Sequence, residues 1–296
     1  MSQMEPRSGF YTSQGLRLHY VWWGDEAKPP LLLIHGGRDH ARNWDRVAQA
    51  LVPYFAVYAV DLRGHGDSDW ALGSQYSLPD YVVDIAAFAD HLGRDPLPIV
   101  GHSLGGGIAL QYAGVFPERV ERVCAIEGLG PGIGGRRPAS QRMREYVLQI
   151  RAFERRRPRH YPTFEDAVRR MQEANPHLTP EMAHHLTLHG TRRHEDGSYT
   201  WKFDNYVRLH SPYEFNIDEA REIWNQIRRP VLLVRGDRSW ATDPEKDGKA
   251  SAFHNYRSVL IPNAGHWVHH DQLEAFLAVL IPFLTESRPA ERFPCG

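Results

Sequence analysis

The chain has 296 residues, enough for two ordinary domains or for one large α/β domain carrying an insertion. Hydrophobic residues make up 42% and charged residues 24%, which excludes a disordered or fibrous chain. With 35 basic against 36 acidic residues the formal charge is −1, so no global field draws in nucleic acid or an anionic membrane, and neither is expected as a partner.

In chain order, residues 9–13 and 16–23 flank the turn pair Gln14-Gly15 and predict a β-hairpin. The apolar runs 30–35 and 54–61, separated by a helical stretch around 43–51, predict strands buried on both faces. A helix over 80–92 follows, with Tyr81, Ile85, Phe88, Ala89 and Leu92 on one face, then a strand at 97–101, a helix over 104–116 and a strand at 120–126. From about residue 128 the alternation stops: a glycine-rich run leads into predicted helices over 142–156, 164–175 and 180–189, with no strand-like apolar run before 229. Strands return at 230–235 and 258–261, and an amphipathic helix over 271–284 closes the pattern. This order predicts a doubly wound, mostly parallel sheet split by an insertion, with sites at the C-terminal ends of the strands. The expected division is a core of 1–129 and 214–296 with a helical cap over 130–213.

Only two cysteines, Cys124 and Cys295, occur, too few for a disulfide framework or a thiolate metal site. The N-terminus lacks a signal-peptide apolar region and no run approaches about 18 apolar residues, so the expectation is a cytoplasmic protein. His185 and His189 have the i to i+4 spacing of metal ligands without an HExxH pattern, and neither a metal nor a cofactor is expected.

The sharpest motif is Gly101-His102-Ser103-Leu104-Gly105, which follows a strand and opens a helix. In that context G-x-S-x-G is a nucleophile elbow, since glycines two before and two after the serine let strand and helix approach closely. No lysine follows as in a phosphate-binding loop, so a bare nucleotide-binding turn is rejected.

With this motif the chain resembles the α/β-hydrolase superfamily over nearly the whole of the core. His35-Gly36-Gly37 resembles the family's oxyanion-hole turn, Asp61-Leu62-Arg63-Gly64-His65-Gly66-Asp67-Ser68 its turn after the fourth strand, and Asn263-Ala264-Gly265-His266-Trp267 its catalytic-histidine loop. The insertion occupies the place of the family's cap domain. Within it, Asn175-Pro176-His177-Leu178-Thr179 and the segment at Trp201 are similar to the serine-hydrolase-like branch.

The resemblance implies that Ser103 is the nucleophile and His266 its base, because a serine hydroxyl attacks at neutral pH only when an imidazole accepts its proton. Of the other histidines, His35 is expected to hold its own loop, His102 to pack beside the elbow or line the pocket, and His269 and His270 to face solvent or a helix start. The family places the orienting acid after the strand preceding the cap or after the strand following it. After the following strand the sequence is Gly236-Asp237-Arg238-Ser239, with Ser239 where the carboxylate usually stands. The preceding strand ends at Glu127, an arrangement similar to haloalkane dehalogenases and certain lactone hydrolases. Glu127 is therefore preferred, with Asp237 and Asp243 as alternatives. The backbone amides of Gly37 and Leu104 match the oxyanion pair.

Arg38, His102, Trp201, Trp240 and Trp267 are candidate substrate-binding residues, although a surface salt bridge is the commoner fate of an arginine such as Arg38. Among the cap aromatics Tyr146, Phe153, Phe164 and Tyr206, some are expected to line an apolar pocket and others to be cap core. The 11 arginines between 136 and 170 are read as a solvated cap surface. The expected activity is hydrolysis of a small carboxylic ester or lactone through an acyl-enzyme. Carbon-carbon bond hydrolysis by the same triad and a non-catalytic ligand-binding protein are the alternatives, and the oligomeric state is not readable.

Overall fold

The computed structural model describes residues 4–73, 76–130, 137–209, 211–213 and 215–286. Cys295 and most of the glycine-rich run after Gly130 lie outside the described residues. The first half of the chain runs β1 (Arg7–Ser13), β2 (Leu16–Trp23), β3 (Pro30–Ile34), α1 (Asp45–Leu51), β4 (Ala56–Val60), α2 (Leu78–Leu92), β5 (Leu97–His102), α3 (Leu104–Val115) and β6 (Val120–Ile126). The segment that follows holds α4 (Ala139–Glu154), α5 (Phe164–Ala174), α6 (Pro180–Gly190), β7 (Thr191–Arg193), β8 (Tyr199–Trp201) and α7 (Ile217–Trp224). The chain closes with β9 (Val231–Gly236), β10 (Tyr256–Ile261), α8 (Val268–Asp271) and α9 (Leu273–Thr285).

Eight strands form one sheet in the order β1-β2-β4-β3-β5-β6-β9-β10. The pairs β1–β2 and β2–β4 are antiparallel and the rest are parallel. The chain winds from β3 outward to β4, then returns to β5 on the other side of β3, so the crevice between the C-terminal ends of β3 and β5 is the topological switch point, where open α/β sheets bind ligands.

The uninterrupted apolar runs arise because both faces of the sheet are covered. Leu32, Ile34, Tyr58, Val60 and Ile99 pack with residues of α2, α3 and α7, while Leu31, Leu33, Val57, Ala59 and Val100 pack with α1 and α9. Helix α2 is delimited chemically, with a capping box between Ser77 and Asp80 and a left-handed Gly93 at its C-terminus.

Beneath the turn after β4, the fully buried Arg63 guanidinium meets Asp84 of α2 through Nε–Oδ2 and Nη2–Oδ1 contacts of 2.6 and 2.7 Å. Removing one partner of such a pair strands a charge in the core. Arg63→Ala is therefore expected to cost about 3–5 kcal/mol of stability, read as a lowered denaturant midpoint at unchanged slope.

Two features depart from the sequence expectation. The insertion contains a hairpin, β7 paired antiparallel with β8, where no strand was expected. Its strands are three residues each and mostly polar, and they meet around Asp196-Gly197, so they carry no apolar run to detect. Helix α7 was also unexpected; its eight residues bury only Ala220 and Trp224, too short a stripe to announce a helix. Among the described residues no helix is long and apolar enough to cross a membrane.

Candidate active site

Ser103 stands between β5 and α3 at φ 52° and ψ −115°, a conformation that non-glycine residues adopt only when their surroundings force it. The forcing is visible at the flanking glycines. A Cβ on Gly101 would overlap the backbone of Gly105, and one on Gly105 would overlap the Ile34 carbonyl, so the strand, the helix and β3 close to a distance that only glycine permits. The turn leaves Ser103 half-buried at the mouth of a cavity of about 490 Å³. His266 lines the same cavity, in the loop between β10 and α8. The Ser103 hydroxyl makes no hydrogen bond to a described residue, His266 included, a looseness common before substrate binds.

Glu127 directly follows β6 and, like Ser103, is held at positive φ, 52°. Its Oε2 accepts a hydrogen bond from His266 Nδ1 at 2.7 Å. The carboxylate is fully buried while the imidazole is 25% exposed and lines the cavity. Oε1 accepts from the Gly236 amide at 2.9 Å, and the Ser239 hydroxyl donates to Oε2. With Nδ1 committed to Glu127, Nε2 is the nitrogen left to accept a proton.

The two alternative acids lie elsewhere. Asp237, directly after β9, is exposed and accepts from the Ala264 amide at 3.3 Å. Asp243 pairs with Arg235 at 3.3 Å and Lys246 at 3.8 Å. Ser239, noticed in the sequence only as a missing carboxylate, holds the carboxylate that replaces it.

The amides singled out as oxyanion donors come together. Leu104 opens α3, so its N–H is among those a helix leaves without an internal acceptor, and Gly37 lies beside the Leu104 side chain on the cavity wall. His35 donates from Nδ1 to the Gly36 carbonyl at 2.6 Å and accepts at Nε2 from the Leu62 amide at 3.0 Å, fastening the loop after β3 to the loop after β4.

Arg38, His102, Trp240 and Trp267 line the Ser103 cavity; Trp201 lines neighbouring cavities instead. Arg38, at φ 66°, forms no ion pair among the described residues, contrary to the salt bridge considered the commoner case. His102 is buried and its Nε2 donates to the His266 carbonyl at 2.9 Å, tying the elbow to the histidine loop. Trp240 is 72% exposed, with its ring 4.9 Å from that of His266.

Of the other aromatics of the insertion, Phe153 packs on Tyr206 at 5.9 Å and Phe164 on His184 at 5.0 Å, and neither they nor Tyr146 line this cavity. His269 is a correction: it is buried, stacked 4.6 Å from Trp44 and bonded to Asn43 at 2.7 Å, because α8 turns it inward.

Sequence reasoning missed Asp271, whose carboxylate accepts from the Gly265 amide at 2.7 Å and so braces the histidine loop. Asn175 and His177, quoted from the sequence only for a family resemblance and not as site residues, lie on the cavity wall in the loop between α5 and α6. Asp45, His185 and His189 bring potential ligand atoms within 4.8 Å of one another, but Arg42 donates to both oxygens of Asp45 and its cation opposes a metal there.

A model of the α/β-hydrolase fold matches residues 29–273. The chain belongs to the α/β-hydrolase superfamily. It is 27% identical over 277 residues to a serine hydrolase-like protein of Danio rerio, covering 90% of this chain and 85% of that one. An esterase of Mycobacterium tuberculosis is 26% identical over 87% of this chain and 83% of its own. Among solved structures, a hypothetical protein of Pseudomonas aeruginosa superposes with a TM-score of 0.83 at 28% identity, covering 93% of this chain and 97% of that one.

Burial also sets how this family member responds to acid. Desolvation, with His65 nearby, lowers His35 from 6.5 to about 3, and desolvation lowers His65 to about 4. Both stay neutral in the folded protein while the unfolded chain takes up protons below pH 6.5, so their contribution is complete above 6.5 and is lost as pH falls towards their folded values. Asp39, raised by burial from 3.8 to about 7, works in the opposite sense, contributing below 3.8 and losing as pH rises through 7. His40, His189 and His270 are lowered by burial in the same way, and together these imidazoles outnumber the carboxyls that burial raises, Asp39, Asp45 and Asp271, so the melting temperature is expected to fall from pH 6.5 to pH 4, and less steeply in His65→Gln; a flat profile in the parent protein would contradict this.

Proposed function

We propose that the protein is a serine hydrolase that cleaves a carboxylic ester or lactone through an acyl-enzyme. The observation that carries the reading is the 2.7 Å contact between His266 Nδ1 and the buried Glu127 carboxylate in the loop facing the strained Ser103. A pure binding protein has no use for that expense, since a positive-φ serine and a buried carboxylate both cost stability.

In the proposed cycle Ser103 Oγ bonds to the carbonyl carbon while its proton passes to His266 Nε2. The oxyanion that forms is met by the amides of Gly37 and Leu104. Collapse breaks the bond to the leaving oxygen, which takes the proton from His266. Water, deprotonated by the same nitrogen, then attacks the acyl-serine and returns Ser103. In a lactone the leaving hydroxyl stays attached to the released acid. Glu127 orients the imidazole and stabilises it when protonated, and His102 acts as a positioning residue through the His266 carbonyl.

The cap reading of 130–213 belongs to the same proposal. Its support is that Asn175 and His177, from that segment, line the cavity holding Ser103. The test is labelling with a fluorophosphonate, mass mapping of the modified residue, and a screen of p-nitrophenyl esters and lactones. A label on Ser103 with turnover of either class is expected; turnover without labelling would overturn the serine mechanism.

A further inference from the structure

Three cavities lie side by side. The Ser103 chamber shares Gly37, Arg38, Asn175 and Trp267 with a second of about 220 Å³. The second shares Tyr161, Arg170, Trp201, Phe203 and Arg208 with a third of about 270 Å³. No aspartate or glutamate among the described residues lines the second or the third.

The cations of the third cavity come from separate pieces of chain. Arg156, Arg157 and Arg159 follow α4, Arg192 lies in β7, and Arg208 ends the short turn Asn205–Arg208. Lys202, on the same wall, is compensated by Asp67 at 2.8 Å. A sixth arginine on this wall, Arg170 of α5, lies 3.5 Å from Glu173, and the other five have no carboxylate partner among the described residues. Two of them instead rest on rings, Arg208 at 5.0 Å from the Phe203 centroid and Arg159 at 5.1 Å from that of Tyr161. Burial and the cations of Arg38, Arg156 and Arg170 hold Arg208 below its ordinary value, so the cluster is under mutual repulsion.

A chain with 35 basic and 36 acidic residues has acids enough to neutralise this cleft, and none of the described ones lines its wall. The cost of gathering like charges is recovered when an anion binds. One carboxylate would satisfy one guanidinium; five unpaired guanidinium groups match several phosphate oxygens, which arginine takes in bidentate fashion.

We propose that this cleft binds a phosphate-bearing leaving group of the substrate, an acyl thioester or ester whose carbonyl sits at Ser103 and whose linker crosses the second cavity. The substrate role rests on the serine-hydrolase reading above; the affinity for phosphate does not. For a thioester, Ser103 Oγ bonds to the carbonyl carbon, the carbon-sulfur bond breaks, and the thiolate takes the proton held by His266. Water then releases the acid.

Coenzyme A serves as the probe, with calorimetry on wild-type and Ser103→Ala protein separating binding from chemistry. Saturable binding that weakens with added salt is expected, and it should weaken by about tenfold or more in Arg208→Glu, the loss of a charge-assisted hydrogen bond. Arg192→Gln, at an exposed strand position, gives the same readout should the first variant not fold. The ratio of kcat/KM for butyryl-coenzyme A to that for p-nitrophenyl butyrate should fall in step in both variants.

Ester turnover without coenzyme A binding would overturn the cleft and leave the serine-hydrolase reading standing. Binding without hydrolysis of any ester or thioester, and without fluorophosphonate labelling, would remove that reading and the substrate role with it. A carboxylate-terminated p-nitrophenyl ester favoured as strongly as the coenzyme A thioester, and equally sensitive to Arg208→Glu, would overturn the choice of phosphate.

Discussion

Ser103→Ala is expected to lower ester turnover by about 10⁵- to 10⁶-fold, the loss seen when the nucleophile of a cooperating triad is removed. Because the hydroxyl makes no hydrogen bond to a described residue, deleting it leaves the core intact, and melting should be nearly unchanged. Ser103→Gly separates the two roles of the position further. The serine sits at φ 52°, so glycine relieves backbone strain that costs on the order of 1–3 kcal/mol. The glycine variant should be as inactive as the alanine variant and melt higher than the parent. An inactive variant with a lower melting temperature would mean that the elbow conformation is not strained in solution. A variant of either kind that keeps most of its turnover would remove Ser103 from the chemistry altogether.

That such a prediction can start from the sequence reflects where the information lay. The strands β3 to β6 were legible because burial on both faces demands unbroken apolar runs, and the elbow because glycine is required on both sides of the serine wherever strand, helix and neighbouring strand close on one another. The insertion was legible only as an interruption. Its helices follow an apolar period, but β7 and β8 owe their pairing to a turn and to neighbouring chain, not to a pattern of their own. Polar partnerships across the sheet were harder still. Ser239 and Glu127 are 112 residues apart, and a serine where a carboxylate was expected looks like a defect until the strand order sets β6 beside β9. The arginines between 136 and 170 were read as a solvated face because Glu145, Glu154 and Glu165 lie among them in sequence; in space those acids do not line the basic cleft.

Glu127→Gln is expected to lower kcat by roughly 10⁴, since an amide in place of the carboxylate leaves the wrong imidazole tautomer bound and no charge to stabilise the protonated base. The environment sharpens the expectation. The carboxylate accepts from His266 Nδ1 at 2.7 Å, from the Gly236 amide at 2.9 Å and from the Ser239 hydroxyl, three donors for an acceptor-only group. An amide offers one oxygen and one donor nitrogen, so at least one of these donors would face another donor: an oxygen kept on the Gly236 amide turns the nitrogen toward both His266 and Ser239, and the reverse placement sets the nitrogen against the Gly236 amide. Asp237→Asn should by contrast change kcat by less than about threefold, because Asp237 is exposed and serves only the Ala264 amide, a bond an asparagine oxygen can keep. Measuring both variants against one ester, with melting temperatures alongside, distinguishes a catalytic loss from an unfolded site. Comparable losses in the two would assign the orienting role to neither carboxylate alone, and a loss confined to Asp237→Asn would return the acid to the strand after the insertion and reduce Glu127 to a brace at the end of β6.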